Sequence, residues 1–181
     1  MNAFVLVGGW PGSGKTTVAR ALAAELEIAY LAKDEVKEAL MDRLGAPSTV
    51  EKSRELGAAA VAAVLRAARG CPGAVIDSTW FPYSLALVRE LPGPCVEIRC
   101  RLDAAVARER YRRRVRDERH LDGLRTEDEL WGEEVAPLGV GPLIEVDTAA
   151  RVDVAALAGL VRSAHAQTGS GCPASRRPGY R

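Results

Sequence analysis

The sequence predicts an α/β protein in which helices cover a parallel sheet, and two observations carry this prediction. Five short runs are almost continuously apolar, which is typical of strands buried on both faces. Segments with helical periodicity separate these runs, and alternating strands and helices favour parallel pairing through right-handed crossovers. The five predicted strands are residues 4–7, 28–31, 74–76, 96–100 and 143–146.

Seven helices are predicted between and after the strands. In the first two, apolar residues recur four positions apart, so that they lie on one helical face. The third is expected to begin with a capping box formed by Ser48 and Glu51, and the sixth with one formed by Thr126 and Glu129. Asp103 is expected to cap the fifth, which continues to about residue 119. The third helix is predicted at residues 50–69, and the other predicted helices are residues 16–26, 35–44, 85–91 and 154–165.

Composition and charge restrict the class of protein. The chain has 181 residues, of which 48% are hydrophobic, enough for one domain with a sizeable core. The formal net charge of +1 indicates neither nucleic acid nor membrane as an obligatory partner. No apolar run approaches ~18 residues and no basic leader precedes the first strand, so we expect a cytoplasmic protein with no membrane span. Four cysteines without a C-x-x-C pair are expected to be reduced thiols.

A glycine-rich segment follows the first strand and opens the first helix. Residues 9–16 fit the pattern G-x-x-x-x-G-K-[ST]. In such a loop the glycines let successive N–H groups point into one concavity, and the helix N-terminus adds partial positive charge. The lysine reaches the β- and γ-phosphates, and the threonine hydroxyl can bind Mg²⁺. The sequence therefore predicts a site for ATP with Mg²⁺, formed by Gly9, Pro11, Gly12, Ser13, Gly14, Lys15, Thr16 and Thr17.

Two aspartates follow predicted strands. Asp34 comes just after the second strand, at the start of a helix. At the carboxyl edge of a parallel sheet it would lie beside the glycine-rich loop, where it could orient an attacking hydroxyl or accept its proton; the alternative is a helix N-cap. Asp77 ends the third strand and could hold Mg²⁺ with Thr16, or contact substrate instead.

The glycine-rich motif and the stretch LAKDEVKEALMDRLG after the second strand resemble small P-loop kinases, AAA-type ATP-binding proteins of the polynucleotide kinase, gluconate kinase and antibiotic phosphotransferase group. The resemblance covers most of residues 4–148. It implies a P-loop NTPase three-layer sandwich with a five-stranded sheet of order 2-3-1-4-5 and a helical lid near residues 108–126. It also implies that Asp34 acts on the acceptor hydroxyl, and that residues 139–142 flank the adenine.

Arginines dominate the expected lid. Arg108, Arg112 and Arg116 are four apart and so share one helical face. A charged run of this kind is often only a solvated helix face. In the families that this chain resembles, lid arginines stabilise the transferring phosphoryl group, which makes Arg108 and Arg112 the leading catalytic candidates. His120, at the end of this run, is expected to be structural.

Three further side chains are candidates for acceptor contact. Lys37 matches a position that is often arginine in polynucleotide kinases, and with Lys33 it could bind a small anionic group or lie on a solvated face. Lysine lacks the bidentate geometry of arginine, which disfavours a nucleic acid acceptor. Trp80 could stack on a ring-shaped acceptor or pack a loop.

Together these features predict one kinase domain over residues 1–168, followed by a disordered tail over 169–181. The predicted activity is transfer of the γ-phosphoryl of ATP to a hydroxyl of a small metabolite such as a sugar, nucleoside or antibiotic. A polynucleotide 5′-hydroxyl kinase and an ATP-binding regulatory module with slow ATPase activity are the alternatives. The sequence specifies neither the acceptor nor the oligomeric state.

Overall fold

Five parallel strands form one sheet in the computed structural model, which describes residues 1–114, 117–132 and 135–169. The strand order is β2-β3-β1-β4-β5, as predicted. The observed strands extend the predicted ones by one or two residues or, for the second strand, shift by one. They are β1 Phe4–Gly9, β2 Ala29–Ala32, β3 Ala74–Asp77, β4 Cys95–Arg101 and β5 Leu143–Asp147.

The register of the sheet determines which residues meet at its carboxyl edge. Val7 of β1 pairs with Asp77 of β3, and Ala32 of β2 also pairs with Asp77. Gly9, the last residue of β1, pairs with Cys100 of β4. The chain therefore leaves β1, β2 and β3 at neighbouring points, and the residues that follow these strands share one site.

Seven α-helices surround the sheet within the described ranges. Helices α1 and α7 contact each other on one face, and α3 contacts both α2 and α4 on the other. The helices are α1 Lys15–Leu26, α2 Lys33–Leu44, α3 Val50–Ala68, α4 Leu85–Val88, α5 Ala104–Arg113, α6 Glu127–Trp131 and α7 Val154–Gly169.

Alternate residues of β1 build two separate cores. Val5 and Val7 face the side of α1 and α7, where they join buried residues such as Leu22. Phe4 and Leu6 face the opposite side and join the apolar face of α3. Every residue of β1 is buried, because helices cover both faces of the strand. This confirms the predicted arrangement of a sheet between two helical layers.

Helix boundaries agree with the predictions at two caps and differ at a third. The Asp103 carboxylate accepts from the N–H groups of Ala105 and Val106, and Thr126 forms the predicted capping box with Glu129. The prediction of a capping box at Ser48 is wrong. Thr49 caps α3 instead, its hydroxyl accepting from the Lys52 N–H at 3.3 Å.

Several predicted helix lengths are also wrong. Helix α5 ends at Arg113 rather than near residue 119, and a separate 3₁₀ turn forms at Glu118–His120. The helix predicted at 85–91 begins where expected but is shorter, since α4 ends at Val88, and a 3₁₀ turn at Pro82–Ser84 precedes it. Helix α7 continues to Gly169, and the rest of the predicted tail, 170–181, lies outside the described residues. In the described part of the chain, no helix is long and apolar enough to cross a membrane.

Candidate nucleotide and acceptor site

The loop between β1 and α1 has the backbone geometry of an anion-binding nest. Gly12 and Gly14 lie in the left-handed region, with φ of 77° and 79°. Residues other than glycine rarely adopt this backbone conformation. Helix α1 has Gly14 as its N-cap, and no side chain among the described residues caps it. The first N–H groups of α1 are therefore available to bind an anion at the loop.

Lys15, the first residue of α1, is the positively charged side chain of the phosphate loop. Its ammonium is 3.5 Å from the carbonyl oxygen of Trp10. Burial lowers the pKa of Lys15, and the nearby carboxylates of Asp77 and Asp34 oppose this shift. The lysine thus lies within electrostatic range of both aspartates that the sequence singled out.

Asp77 lies beneath the loop, at the end of β3, with only 6% of its surface exposed. Its Oδ2 accepts a hydrogen bond from the Tyr30 hydroxyl at 3.4 Å, whereas its buried Oδ1 has no hydrogen-bond partner among the described residues. Desolvation raises the pKa of Asp77, and the Lys15 ammonium and the Thr16 hydroxyl nearby partly offset this rise.

These groups fit a magnesium site. A buried carboxylate oxygen without a partner next to a threonine hydroxyl is a suitable oxygen donor set, because Mg²⁺ in nucleotide sites takes one or two protein ligands together with phosphate oxygens. Among the described residues, no cluster of three or more His, Cys, Asp or Glu side chains could hold a metal without such phosphates. Thr16 and Asp77 are therefore the candidate metal ligands.

Asp34 does not cap a helix. Helix α2 begins at Lys33, its N-cap residue is Ala32, and no described side chain forms the cap. Asp34 lies in the first turn, where its carboxylate pairs with the Lys33 ammonium at 2.7 Å. The interpretation of Asp34 as an N-cap is wrong, and its carboxylate lines a pocket that Lys15 also lines.

This pocket, which we call the acceptor pocket, encloses about 130 Å³ between the loop, α2 and the lid. Phe81, Tyr111 and Leu130 supply apolar wall, and the remaining lining is strongly charged. The charged side chains are Lys15, Lys33, Lys37, Arg114 and Arg125, together with Asp34, Asp122 and Glu129.

Lys37 is buried rather than placed on a solvated face, so that alternative is wrong. Only 2% of its surface is exposed, and its ammonium donates to the Ser53 hydroxyl at 2.7 Å. The Ser53 hydroxyl donates to the carbonyl oxygen of His120 at 3.3 Å, and the His120 ring contacts Glu38 Oε1 at 2.8 Å. These contacts join α2, α3 and the lid.

The sequence alone did not indicate a role for Ser53 or Glu38, nor that His120 lies at the pocket. Ser53 is a buried serine on an otherwise alanine-rich helix, and that is the one local signal that could have drawn attention to it. His120 has 1% exposure and lines the acceptor pocket, so it is buried as expected but lies at the site.

Trp80 is a core residue, so of the two roles considered from the sequence the packing role is observed, and its assignment to substrate binding is wrong. The side chain is 4% exposed and its indole N–H donates to the carbonyl oxygen of Val7 at 3.1 Å. Its ring lies directly against Gly8, where a Cβ would approach Trp80 Cδ1 to 2.8 Å. The next residue, Phe81, is the aromatic side chain that reaches the acceptor pocket.

The predicted lid arginines point away from the acceptor pocket. Arg108 pairs with Glu127 at 3.5 Å, and Arg112 pairs with Glu109 of its own helix at 3.3 Å and is 71% exposed. Both line an outer groove of the lid, not the pocket that contains Lys15 and Asp34. The third candidate, Arg116, lies outside the described residues.

The orientation of α5 explains this correction. A Cβ on Gly12 would meet the carbonyl oxygen of Ala107 at 2.3 Å, so α5 directs its 107/111 face at the phosphate loop. Arg108 and Arg112 follow these residues and are rotated about 100° around the helix axis from them. Arg114, just after α5, lines the acceptor pocket and is near enough to lower the pKa of Lys15.

Aromatic contacts hold the lid against the phosphate loop. Trp10 of the loop stacks on Trp131 of α6 with ring centroids 5.2 Å apart. Tyr111 of α5 meets Trp131 edge to face at 5.8 Å, and the Arg108 guanidinium lies 5.5 Å from the same ring. Sequence reasoning assigned no role to Trp10 or Trp131, because nothing local to either residue indicates that they meet.

A second cavity, of about 570 Å³, lies beside the N-terminus of α1 and has the size of a nucleoside site. Gly14, Thr17 and Arg110 line it together with residues 148–152 of the loop after β5. Arg110 fixes this loop by donating to the carbonyl oxygens of Thr148 and Ala149 at 3.0 and 3.3 Å.

The expectation that residues 139–142 flank the adenine is wrong. These residues precede β5 and therefore lie at the opposite edge of the parallel sheet from the phosphate loop. Glu97 holds this segment, accepting from the N–H groups of Leu138 and Val140 at 2.6 and 2.7 Å.

A glycine nest ahead of a helix, a buried aspartate on the neighbouring strand and a 2-3-1-4-5 parallel sheet define a P-loop nucleotide-binding protein. A family model described as AAA domain (AAA_33) matches residues 4–128. The chain belongs to this AAA domain family. A search of the curated proteins gives no match.

Solved structures of similar fold include several kinases. A candidate kinase from Chloroflexus aurantiacus is 30% identical, with a TM-score of 0.75 and coverage of 92% of this chain and 97% of that one. A gluconokinase from Sinorhizobium meliloti is 20% identical, with a TM-score of 0.63 and coverage of 94% and 98%. A shikimate kinase from Acinetobacter baumannii, in complex with shikimate, is 17% identical, with a TM-score of 0.55 and coverage of 96% of each chain.

Proposed function

We propose that this protein is an ATP-dependent phosphotransferase that moves the γ-phosphoryl group of ATP to a hydroxyl of a small metabolite. The observation that carries the proposal is the presence of Lys15 and Asp34 on the walls of one pocket. A nucleotide-binding module alone needs the lysine but has no use for a carboxylate in the same pocket.

The residues divide the work of such a reaction. The amides of the phosphate loop and Lys15 bind the phosphate chain, and the cavity beside residues 148–152 receives the nucleoside. Thr16 and Asp77 would hold Mg²⁺, which would supply positive charge to the phosphates. Asp34 orients the acceptor hydroxyl and takes up its proton, while the ion pair with Lys33 holds the carboxylate in place.

The lid completes the site. Arg114 lies next to Lys15 and supplies positive charge for the transferring phosphoryl group, the role expected from the sequence for Arg108 and Arg112. The contact between Trp10 and Trp131 excludes water, so that the acceptor and not water receives the phosphoryl group.

The dimensions of the acceptor pocket support a small acceptor over an oligonucleotide. At about 130 Å³ and covered by the lid, it does not provide an open groove for a polymer. Two proteins of similar fold are named for small metabolites, gluconate and shikimate. Within the small P-loop kinases, this favours the metabolite and antibiotic kinases over the polynucleotide kinases.

A metabolite screen tests the proposal. Purified protein, Mg²⁺ and γ-labelled ATP are incubated with a library of hydroxylated metabolites, antibiotics and a 5′-hydroxyl oligonucleotide, and phosphorylated products are identified by mass spectrometry. We expect transfer to a small molecule and none with Lys15→Ala, which removes the cation on the phosphates, while the exposed control Lys52→Ala transfers normally. Phosphorylation of the oligonucleotide alone, or ATP hydrolysis independent of every acceptor, would contradict it.

A further inference from the structure

We infer that Tyr30 is a positioning residue for the metal, because its hydroxyl holds the Asp77 carboxylate so that the other oxygen of Asp77 stays available to Mg²⁺. The inference rests on the proposed function, since it concerns the magnesium site assigned there to Thr16 and Asp77.

The register of the sheet brings Tyr30 next to Asp77. Tyr30 of β2 pairs with Val75 of β3, and two positions further along these strands Ala32 pairs with Asp77. Side chains two positions apart along a strand share a face, so Tyr30, Val75 and Asp77 lie on the same side of the sheet. Tyr30 and Asp77 are therefore diagonal neighbours, a separation that an aromatic side chain can span.

The two carboxylate oxygens of Asp77 have different surroundings. Oδ2 accepts the hydrogen bond from the Tyr30 hydroxyl at 3.4 Å. Oδ1 is buried and has no hydrogen-bond partner in the part of the chain that the structure describes. A buried carboxylate oxygen without a partner is costly, and a bound cation removes that cost. Tyr30 thus contacts one oxygen and leaves the other for the metal.

Lys15 is the competitor that this hydrogen bond restrains. Burial raises the pKa of Asp77, and the Lys15 ammonium is the strongest influence opposing that rise, so the two groups attract each other. A carboxylate that is free to rotate turns toward a nearby cation, and the attraction is strong where water is excluded. The Tyr30 hydroxyl opposes this rotation and keeps Lys15 for the phosphates.

Tyr30 is itself held in place by neighbouring elements. The Arg20 guanidinium of α1 lies 5.3 Å from the centroid of the Tyr30 ring, and Arg20 pairs with Glu35 of α2 at 2.7 Å. The ring also packs against the core between the sheet and α1. Because the ring is fixed in this way, its hydroxyl can orient Asp77.

Calorimetry with a non-hydrolysable ATP analogue at a series of Mg²⁺ concentrations tests the inference. Tyr30→Phe keeps the ring and removes only the hydroxyl. We expect the Mg²⁺ concentration for half-maximal enhancement of analogue binding to rise about 10-fold, the lower end for a partner of a ligand carboxylate, because 3.4 Å is a long hydrogen bond. Affinity for the analogue without Mg²⁺ should change less than about 2-fold, since the phosphate loop binds the phosphates directly.

Manganese provides a spectroscopic measurement at the same site. Mn²⁺ replaces Mg²⁺, and electron paramagnetic resonance of Mn²⁺ bound with the analogue reports the geometry of its ligands. We expect an altered spectrum for Tyr30→Phe. The matched control Tyr83→Phe, at an exposed tyrosine, should give the parental spectrum and the parental Mg²⁺ dependence.

A double variant shows whether Tyr30 acts through Asp77. Asp77→Asn should remove most of the enhancement by Mg²⁺, and Tyr30→Phe added to Asp77→Asn should cause no further loss, because the hydroxyl then has no metal ligand to position. A purely structural role for Tyr30 would lower affinity equally in both backgrounds. Thermal unfolding checks that each variant is folded.

The inference is wrong if Tyr30→Phe shows the parental Mg²⁺ dependence or the parental Mn²⁺ spectrum, or if it weakens the analogue equally with and without Mg²⁺. It is also wrong if Asp77→Asn keeps the parental Mg²⁺ dependence, or if Tyr30→Phe causes the same loss in that background. In each case an analogue that still binds leaves the proposed phosphotransferase intact. Failure of the ATP analogue to bind the parent would instead overturn the proposed function itself.

Discussion

The phosphate loop and the lid contribute to the same site, but they are encoded differently. The phosphate loop consists of eight consecutive residues, 9–16. This one segment contains the two left-handed glycines, the lysine and the threonine on which binding depends. The lid acts through residues that meet across the fold, as when Trp10 stacks on Trp131. A site formed by one segment can be predicted from the spacing of its residues in the sequence. A site formed by several segments cannot, because it depends on how the helices are oriented.

The largest expected effect concerns Asp34, which lines the acceptor pocket together with residues of the loop and the lid. Asp34→Asn keeps the shape of the side chain but removes the base, so phosphoryl transfer should fall by roughly 10²- to 10⁴-fold. Affinity for Mg²⁺ and ATP should change little, because Asp34 does not belong to the loop. Single-turnover transfer and nucleotide calorimetry give the two quantities, and transfer at the parental rate would remove Asp34 from the mechanism.

The next prediction compares two lid arginines. Arg114→Gln should lower phosphoryl transfer about 10²-fold, because the side chain lines the acceptor pocket near Lys15. Arg112→Gln should change transfer less than about 3-fold, since a surface ion pair such as that with Glu109 contributes little. Steady-state kinetics of the two variants measure these rates. A larger loss of transfer in Arg112→Gln than in Arg114→Gln would support the assignment of Arg112 that was made from helical spacing.

A smaller effect is expected from loosening the lid. Trp131→Leu removes the stack on Trp10 while keeping an apolar side chain, and an aromatic pair contributes about 0.5–1.5 kcal/mol. Hydrolysis of ATP in the absence of acceptor should rise a few-fold, because water enters the site more often. The exposed aromatic residue Tyr83 provides a control through Tyr83→Leu, and equal hydrolysis by both variants would show that the stack does not restrict water.

The smallest effect concerns stability and pH. Burial raises the pKa of Asp77 above its ordinary value of 3.8, so the folded protein holds this proton more tightly than the unfolded chain. The contribution of Asp77 to the free energy of unfolding therefore falls as pH rises from 3.8 to the raised pKa, and stays low above it.

Asp77→Asn should consequently unfold at a higher temperature than the parent at pH 7, with the difference shrinking toward pH 4. Calorimetric scans across this range measure it. A variant less stable than the parent at pH 7 would mean that the pairing of Asp77 with Lys15 outweighs the cost of burying the carboxylate.

The central elements of the fold follow directly from local pattern. The apolar runs locate all five strands, and two of the three predicted side-chain caps form, because capping depends on residues three positions apart. The lengths of α4 and α5 were less predictable. Both stretches contain good helix formers, so local propensity does not indicate that α4 ends at Val88 and α5 at Arg113.

The sequence by itself determined the sheet of parallel strands, the phosphate loop, and the placement of Asp34 and Asp77 just after or at the ends of strands. These features depend on backbone geometry and on the rule that parallel strands end at one edge. Tertiary structure alone decided that Trp80 enters the core, that Arg114 and Arg125 rather than Arg108 and Arg112 reach the pocket, and that Lys37 meets Ser53. A rotation of about 100° per residue separates inward from outward side chains on a helix. Which face of a helix points to the pocket is set by the elements that the helix packs against. The spacing of residues along the helix does not determine it.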